Sequence, residues 1–399
     1  MPGTVAIVCA GIGGTGSVAN VAVNHADQLA RRGWPVVLIS DSFPDALPAG
    51  VEREQLRPPR FTALRRFAHL PDALAFSFSA LALLRRLRRQ AKLQAVIFHS
   101  HPDAALAGGW LQWSAQIPFV MVAHGVIFDR PPGTYDPLLS WLYRLTTAPA
   151  FRQAALVVAL SPAMAELACR HGARRQALRL IPNGVDPCEI GLPQHHATAK
   201  AALLDPHGSL RLLFVGTLSP VKGVDVLVEA CARLRRQAQS YELSLLGSGT
   251  DLQVEQLRRK VEDLGLQAQV RFLGPRPRSR LAPFLRSAHV LVVPSRSDPL
   301  PTVVLEAMLA GVPVIGSAVG GIPFLLDGGS CGALVPPEDS ESLAQALADL
   351  ARSPARRAAL AAAALNRAST RFTWERCGAD LDAALRGLPG IDPPDPPCP

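Results

Sequence analysis

The sequence is poor in lysine, in aromatic residues and in acid. Only four of its 41 basic residues are lysine (Lys92, Lys200, Lys222, Lys260), aromatics make up 6% and charged residues 18%. A chain that is 48% hydrophobic with so little charge is not a disordered, acidic or low-complexity protein. Its seven cysteines are scattered, with no C-x-x-C spacing, so neither a disulfide framework nor a zinc site is expected, and a reducing compartment fits. It also lacks an apolar run able to span a bilayer. Residues 104–128 and 307–326 carry no charge, but the first contains Gln112, Gln116, Pro118 and His124, and the second is broken by Gly311, Pro313, Gly320, Gly321 and Pro323. Met1-Pro2-Gly3-Thr4 has no basic n-region, so a cytoplasmic location is expected.

The length of 399 residues leads us to expect two or three domains. The formal charge is +9, and nearly all of it is local. Residues 57–92 hold nine basic side chains (57, 60, 65, 66, 85, 86, 88, 89, 92) against one acid, Asp72. Within this stretch, 73–92 is apolar and then basic, which suits peripheral contact with an anionic membrane and equally a buried helix with a basic end. No nucleic-acid-binding module is present in the pattern.

Short apolar runs alternate with helical periodicity along the whole chain. Strands are expected at 5–10, 35–40, 95–98, Phe119–Ala123, 156–160 and 179–181, with a helix over 18–32 ended by Gly33. After a looser segment, 187–209, a second series begins. It has strands at Leu210–Val215, 242–246, Val270–Phe272, Val290–Val293 and 312–316, with helices at 223–237, 251–264, 302–310 and 340–352. Such alternation predicts an α/β protein with parallel, doubly wound sheets and ligands at the carboxyl ends of the strands. Residues 387–399 contain six prolines and are expected to form an extended, disordered tail.

Gly11-Ile12-Gly13-Gly14-Thr15-Gly16 is G-x-G-x-x-G between a strand and a helix, and Asp41 ends the next strand. That pattern suits a nicotinamide dinucleotide, and so an NAD(P)-dependent oxidoreductase. It suits equally a loop facing a substrate phosphate or sugar, or a plain βα turn. Later, 213–218 leads into Pro220-Val221-Lys222-Gly223, a strand, a glycine turn and a lysine at a helix start, which suits a diphosphate. In 294–307, Asp298 lies in a loop and Glu306 one turn inside the next helix, with Thr302 placed to cap it. Two acceptors suit ribose and sugar hydroxyls, and the N–H groups at 302–304 suit phosphate. His99-Ser100-His101-Pro102-Asp103 follows a strand and fits a cleft-lining role better than a metal site. His195-His196 reads as solvated, and Trp110, Trp113 and Trp141 as core or as an acceptor groove.

Together these motifs resemble the family-4 retaining glycosyltransferases of the GT-B fold. The resemblance covers Gly16-Ser17-Val18-Ala19-Asn20, Val122-Ala123-His124-Gly125, Ile181-Pro182-Asn183-Gly184-Val185-Asp186, 216–223, Leu246-Gly247-Ser248-Gly249 and 270–274. It continues through the E-x7-E-like 298–306, then 311–315, 320–323 and Phe372-Thr373-Trp374-Glu375. It implies two Rossmann-like domains facing a cleft, 1–190 on the acceptor side and 191–371 for the nucleotide sugar, with 372–386 crossing back to the first. It implies transfer of a hexose-type sugar from a nucleotide-diphosphate sugar to a glycan, lipid-linked or small-molecule acceptor, in cell-envelope polysaccharide synthesis, with no metal or other cofactor. Carried over by position, Lys222 neutralises the diphosphate, Glu306 holds the ribose, Asp298 a sugar hydroxyl, and His124 the transferred sugar. Gly16, Gly216, Thr217, Arg296, Thr302 and Val303 complete the donor site, and Arg271 and Leu273 flank the base. Thr217 stands where the family usually has arginine, Asp298 where it has glutamate, and Pro301 where it has glycine. Arg296, Arg276, Arg278 and Arg280 are the candidates to replace the missing cation. A non-catalytic sugar-nucleotide binder is the alternative these departures leave open.

Overall fold

Short strands, most of them rich in apolar residues, organise the chain into two parallel sheets. The structure, a computed structural model, describes residues 3–13, 17–58, 69–90, 93–99, 104–124, 137–192 and 209–395. It divides into two compact units, Met1–Asn183 with Trp374–Pro399, and Gly184–Thr373.

The first unit contains β1 (Thr4–Val8), β2 (Val36–Ser40), β3 (Val51–Gln55), β4 (Leu93–Phe98), β5 (Phe119–Ala123), β6 (Leu156–Ala159) and β7 (Leu178–Leu180). Their order is β3-β2-β1-β4-β5-β6-β7, and every pairing is parallel. β2, β4, β5 and β6 are buried at every residue, as a sheet covered on both faces requires. β3, Val-Glu-Arg-Glu-Gln, has no apolar pattern to announce it. It pairs on one side only, and its charges discourage a further strand at that edge.

The second unit contains β8 (Leu210–Val215), β9 (Tyr241–Leu246), β10 (Val270–Phe272), β11 (Val290–Val293), β12 (Val314–Ser317) and β13 (Ala333–Val335). The order β10-β9-β8-β11-β12-β13 repeats the pattern of the first sheet. Both are the doubly wound order, in which the crevice for a ligand opens beside the first strand, between β1 and β4 or between β8 and β11. β12 starts two residues later than expected because Val312 still belongs to the preceding helix end. Its N–H bonds Ala307 O at 2.9 Å, after Gly311 has taken the left-handed conformation (φ +67°) that closes such helices. β13 and the helix Pro354–Arg371 were not expected either.

Three expectations about organisation change. Residues 187–192 are not loose: Pro187–Ile190 forms a 3-10 turn capped by the Asp186 carboxylate on Cys188 N at 2.7 Å, and it lies in the second unit. The division accordingly falls after Asn183 rather than after residue 190. The proline-rich tail is anchored through residue 395. Gln94 donates to Gly3 O (2.7 Å) and Asp392 O (3.2 Å) and accepts from Asp392 N (2.8 Å), and Arg386 donates to Pro394 O (2.9 Å). Proline removes donors from the tail but leaves its carbonyls available to side chains of the body. The helix Trp374–Arg386 returns to the first unit and packs on the helix Ser17–Ala30. There Gly378 allows close approach to Gln28, and Trp34 Nε1 donates to Asp382 at 2.6 Å.

Candidate active site

At the carboxyl end of β8 the chain turns through Gly216, whose N–H bonds Leu246 O at 3.0 Å, and then through exposed Thr217. Pro220–Lys222 makes one 3-10 turn, and Gly223 (φ +65°) closes it and opens the helix Val224–Arg236. A Cβ at Gly223 would sit 1.9 Å from Pro294 O, so only glycine lets this turn lie against the segment leaving β11. That contact brings the two sides of the β8/β11 crevice together. Lys222 Nζ donates to Asp298 Oδ2 at 2.5 Å, the lysine one-third exposed and the aspartate buried. Gly320 and Gly321 hold the Asp298 loop from behind: a Cβ at either would meet the carbonyl of Asp298 or Pro299 at 1.8 and 2.2 Å.

The helix Thr302–Leu309 begins at this point. Its cap is Pro301, which makes no side-chain bond, and Thr302 is the first helical residue rather than the cap. The N–H groups of Thr302 and Val303 have no intrahelical acceptor and remain available to an anion. Glu306 is buried, and its Oε1 lies 2.7 Å from Arg278 Nε, while Arg278 Nη2 lies 3.3 Å from Glu189 Oε2. Burial pushes the Glu306 carboxyl above the ordinary carboxylate range, and Arg278 opposes this. The two acids that the sequence pairs by spacing therefore engage different cations, Asp298 with Lys222 and Glu306 with Arg278.

Arg296, a candidate replacement cation, is engaged by two acids. It bonds Asp225 through both terminal nitrogens (2.8 and 2.7 Å), Glu338 at 2.9 Å, and Pro220 O. Burial alone would raise the Asp225 carboxyl, but the two bonds from Arg296 hold it below its usual value. Arg278 is committed to Glu306, and Arg276 donates to Pro275 O at 2.9 Å. Arg271 lies on β10 and pairs loosely with Glu242 at 3.5 Å, and Leu273 N bonds Leu245 O at 2.8 Å. Asp225, Arg278 and Glu338 as partners of the site residues carry no signal in linear spacing.

In the first unit Gly11, Ile12 and Gly13 donate to Asp41 Oδ1 (2.7 Å), Ser40 Oγ (3.2 Å) and Ser42 O (3.1 Å). Among the described residues of the loop, these donors are thus turned inward, and Gly11 is spent on the acid that a dinucleotide ribose would need. Gly16, His101, Asp103 and His195-His196 lie outside the described residues. His124 follows β5, and His99 Nδ1 lies 2.8 Å from its Nε2. Among the described residues, no group of three or more His, Cys, Asp or Glu side chains is placed to hold a metal ion. Nor, among them, is any helix long and apolar enough to cross a membrane. Of the basic stretch, Arg60, Arg65, Arg66 and Lys92 lie outside the described residues. Arg85, Arg86, Arg88 and Arg89 are exposed on the helix His69–Gln90, with Arg85 over the Trp110 ring (3.9 Å) and Arg86 on Glu54 (3.1 Å). Trp113 is 85% exposed and Phe78 60%, so neither is core.

Comparison with known proteins gives a consistent picture. The family model "Glycosyltransferase Family 4" matches residues 15–189, and "Glycosyl transferases group 1" matches 197–367. The D-inositol 3-phosphate glycosyltransferase of Rhodococcus erythropolis is 31% identical over 398 residues, covering 94% of this chain and 87% of the relative. The enzyme of the same name from Mycolicibacterium paratuberculosis is 29% identical over 394 residues, covering 94% and 86%. Among solved structures, sucrose-phosphate synthase from Thermosynechococcus elongatus superposes with a TM-score of 0.82 at 22% identity, over 97% of this chain and 99% of its own. Anabaena HepE in complex with UDP-glucose does so with a TM-score of 0.75 at 21% identity, over 97% and 100%.

Proposed function

The chain belongs to the family-4 glycosyltransferases of the GT-B fold, and on that premise we propose that it moves a hexose-type sugar from a nucleotide-diphosphate sugar, with retention and without a metal. The acceptor is a glycan, a lipid-linked glycan or a small molecule, and the relatives named for D-inositol 3-phosphate make a cyclitol phosphate the first to try. The observation that carries this reading is the Lys222–Asp298 pair in the β8/β11 crevice, beside the open N-terminus of the helix Thr302–Leu309. The solved structure of HepE with UDP-glucose supports the same donor class.

In this reading the departing diphosphate gathers negative charge as the glycosidic bond lengthens. Lys222 and the N–H groups of Thr302 and Val303 stabilise that charge without reorganising. Asp298 orients Lys222 and accepts from a sugar hydroxyl, Glu306 accepts from the ribose, Gly216 and Thr217 let the backbone approach the phosphates, and His124 contacts the transferred sugar. The acceptor attacks from the leaving-group side, so no carboxylate nucleophile is required, and positioning supplies the rest. Arg88, Arg89, Phe78 and Trp113 support reversible contact with an anionic membrane, and with it a peripheral place on the inner face of the membrane.

The test is calorimetry with UDP and GDP, followed by labelled donors incubated with and without D-inositol 3-phosphate. Binding of one nucleotide and acceptor-dependent release of it are expected. Failure of both nucleotides to bind ends the reading. Binding without transfer to any acceptor, together with the exposed and cation-free Thr217, favours the non-catalytic binder.

A further inference from the structure

The proposed chemistry touches only one end of a chain of three histidines in the first unit. His99 follows β4 and His124 follows β5, adjacent parallel strands, so both rings leave the same end of the sheet. The rings meet edge to edge and nearly in one plane, with centroids 5.0 Å apart and planes 26° apart, and His99 Nδ1 lies 2.8 Å from His124 Nε2. Behind them His25, on the helix Ser17–Ala30, lies 5.3 Å from the His99 centroid. His25 meets the Trp374 ring edge-on at 6.5 Å, and its Nε2 is 3.5 Å from Cys377 Sγ. His99 is 4% exposed and His25 not at all. Burial first, then His124 and His25, hold His99 well below its ordinary pKa, and burial lowers His25 to about 4. At neutral pH each of these two rings therefore carries one proton for two nitrogens.

The direction of the His99–His124 bond follows from the nitrogen on the other side of His99. His99 Nε2 is buried and has no hydrogen-bond partner. A proton placed there would be a buried N–H with nothing to donate to, the rarer and costlier kind of unpaired group. A proton on Nδ1 instead donates to His124 Nε2 and leaves only a bare lone pair on the buried side. His124 then accepts at Nε2 and keeps its own proton on Nδ1. From this we infer that His99 is a positioning residue, which fixes His124 as the neutral tautomer protonated at Nδ1 and holds its ring in place through that near-coplanar bond. The inference rests on the proposed role of His124 only for its consequence in turnover. The tautomer itself stands on the geometry of the first unit.

The functional consequence concerns donors. A His124 held in this form offers an N–H from Nδ1 and has no second nitrogen free to exchange roles, so its contact to a hydroxyl has one polarity. Without His99, both tautomers and more than one ring orientation become accessible, and only a fraction of molecules present the competent form.

The experiment uses the full chain with 15N-labelled histidine. In the wild type, long-range 15N–1H correlation should show the His124 Nε2 as an unprotonated, pyridine-like nitrogen and Nδ1 as protonated. His99→Phe keeps a ring but removes the donor, and should give averaged His124 shifts. It should also lower kcat roughly tenfold, the worth of one hydrogen bond, with the Kd for UDP unchanged. His99→Asn places an amide N–H near the former Nδ1 and should restore both the fixed tautomer and most of kcat. A wild-type His124 protonated at Nε2 would overturn the inference. So would equal loss in the Phe and Asn variants with both folded. If the wild type transfers no sugar at all, the function proposed above fails while the tautomer measurement still decides this one.

Discussion

The two units share a strand order and differ in what they place at the carboxyl ends of their strands. In the second, ion pairs gather around β8 and β11: Lys222 with Asp298, Arg278 with Glu306, Arg296 with Asp225. In the first, the corresponding positions after β4 and β5 hold imidazoles, His99 and His124, backed by His25, and burial keeps His99 and His25 neutral. Topology decides where a ligand is met, and side chains decide what part of it. A crevice lined by paired charges can take a diphosphate beside a cation already held in place, since an ammonium has donors for both partners. A hydrogen-bonded row of imidazoles with neutral rings behind it suits uncharged hydroxyls, because it holds hydrogen-bond direction without a strong field.

Substitutions on the two sides test that division, beginning with the largest expected effect. Lys222→Ala should reduce donor affinity and turnover together by about 1.5–3 kcal/mol, the worth of a hydrogen bond to a charged group, and it also leaves Asp298 buried without its cation. Wild-type kinetics at saturating donor would remove the charged half of the comparison. Arg296→Ala should instead cost stability, by a similar ~1.5–3 kcal/mol, with Kd for the nucleotide unchanged, since its bonds go to Asp225 and Glu338. A tenfold weaker nucleotide would show that Arg296 faces the ligand after all. Replacing Arg88 and Arg89 by glutamine should weaken binding to anionic liposomes by about 2 kcal/mol at low salt and little at high salt, at ~1 kcal/mol each. Arg85 and Arg86, engaged with Trp110 and Glu54, should contribute less. Equal co-sedimentation of wild type and variant would remove the membrane contact.

The smallest effect is also the one whose sign is most informative. Glu306 has a folded pKa above its unfolded one, so the folded chain keeps a proton that the unfolded chain has released. Its contribution to stability therefore falls as pH rises from the ordinary glutamate range through the raised value. Glu306→Gln, which does not titrate, should melt higher than wild type above that window, and the difference should shrink in acid. The same variant should bind UDP or GDP about 1 kcal/mol more weakly, one hydrogen bond's worth. A variant that melts lower at neutral pH would mean that the Arg278 pair outweighs the burial of the carboxylate.

The places where sequence reading succeeded and failed have physical explanations. Buried parallel strands announce themselves as apolar runs, which is why Phe119–Ala123 and Val290–Val293 were legible to the residue. An edge strand such as Val51–Gln55 needs no apolar face and gives no such signal. Glycines with left-handed backbones beside a strand end marked the turns at 216, 223 and 320, and the structure shows a neighbouring carbonyl where a Cβ would stand at 223 and 320. The order of the motifs located the donor-binding half. It did not reveal that Thr302 would fall one position inside the helix, because Pro301 takes the cap.

Sequence by itself determined the strand and helix spacing, the glycine turns and the placement of one rare lysine at a helix start, since these are local and follow from periodicity and backbone sterics. Tertiary structure alone decided who pairs with whom. Lys222 and Asp298 are 76 residues apart, and Arg296 and Asp225 are 71. His99 and His124 are 25 apart and meet only because β4 and β5 are neighbours. An ion pair or a histidine tautomer depends on distance and burial in space, and neither quantity is written in the order of residues along the chain.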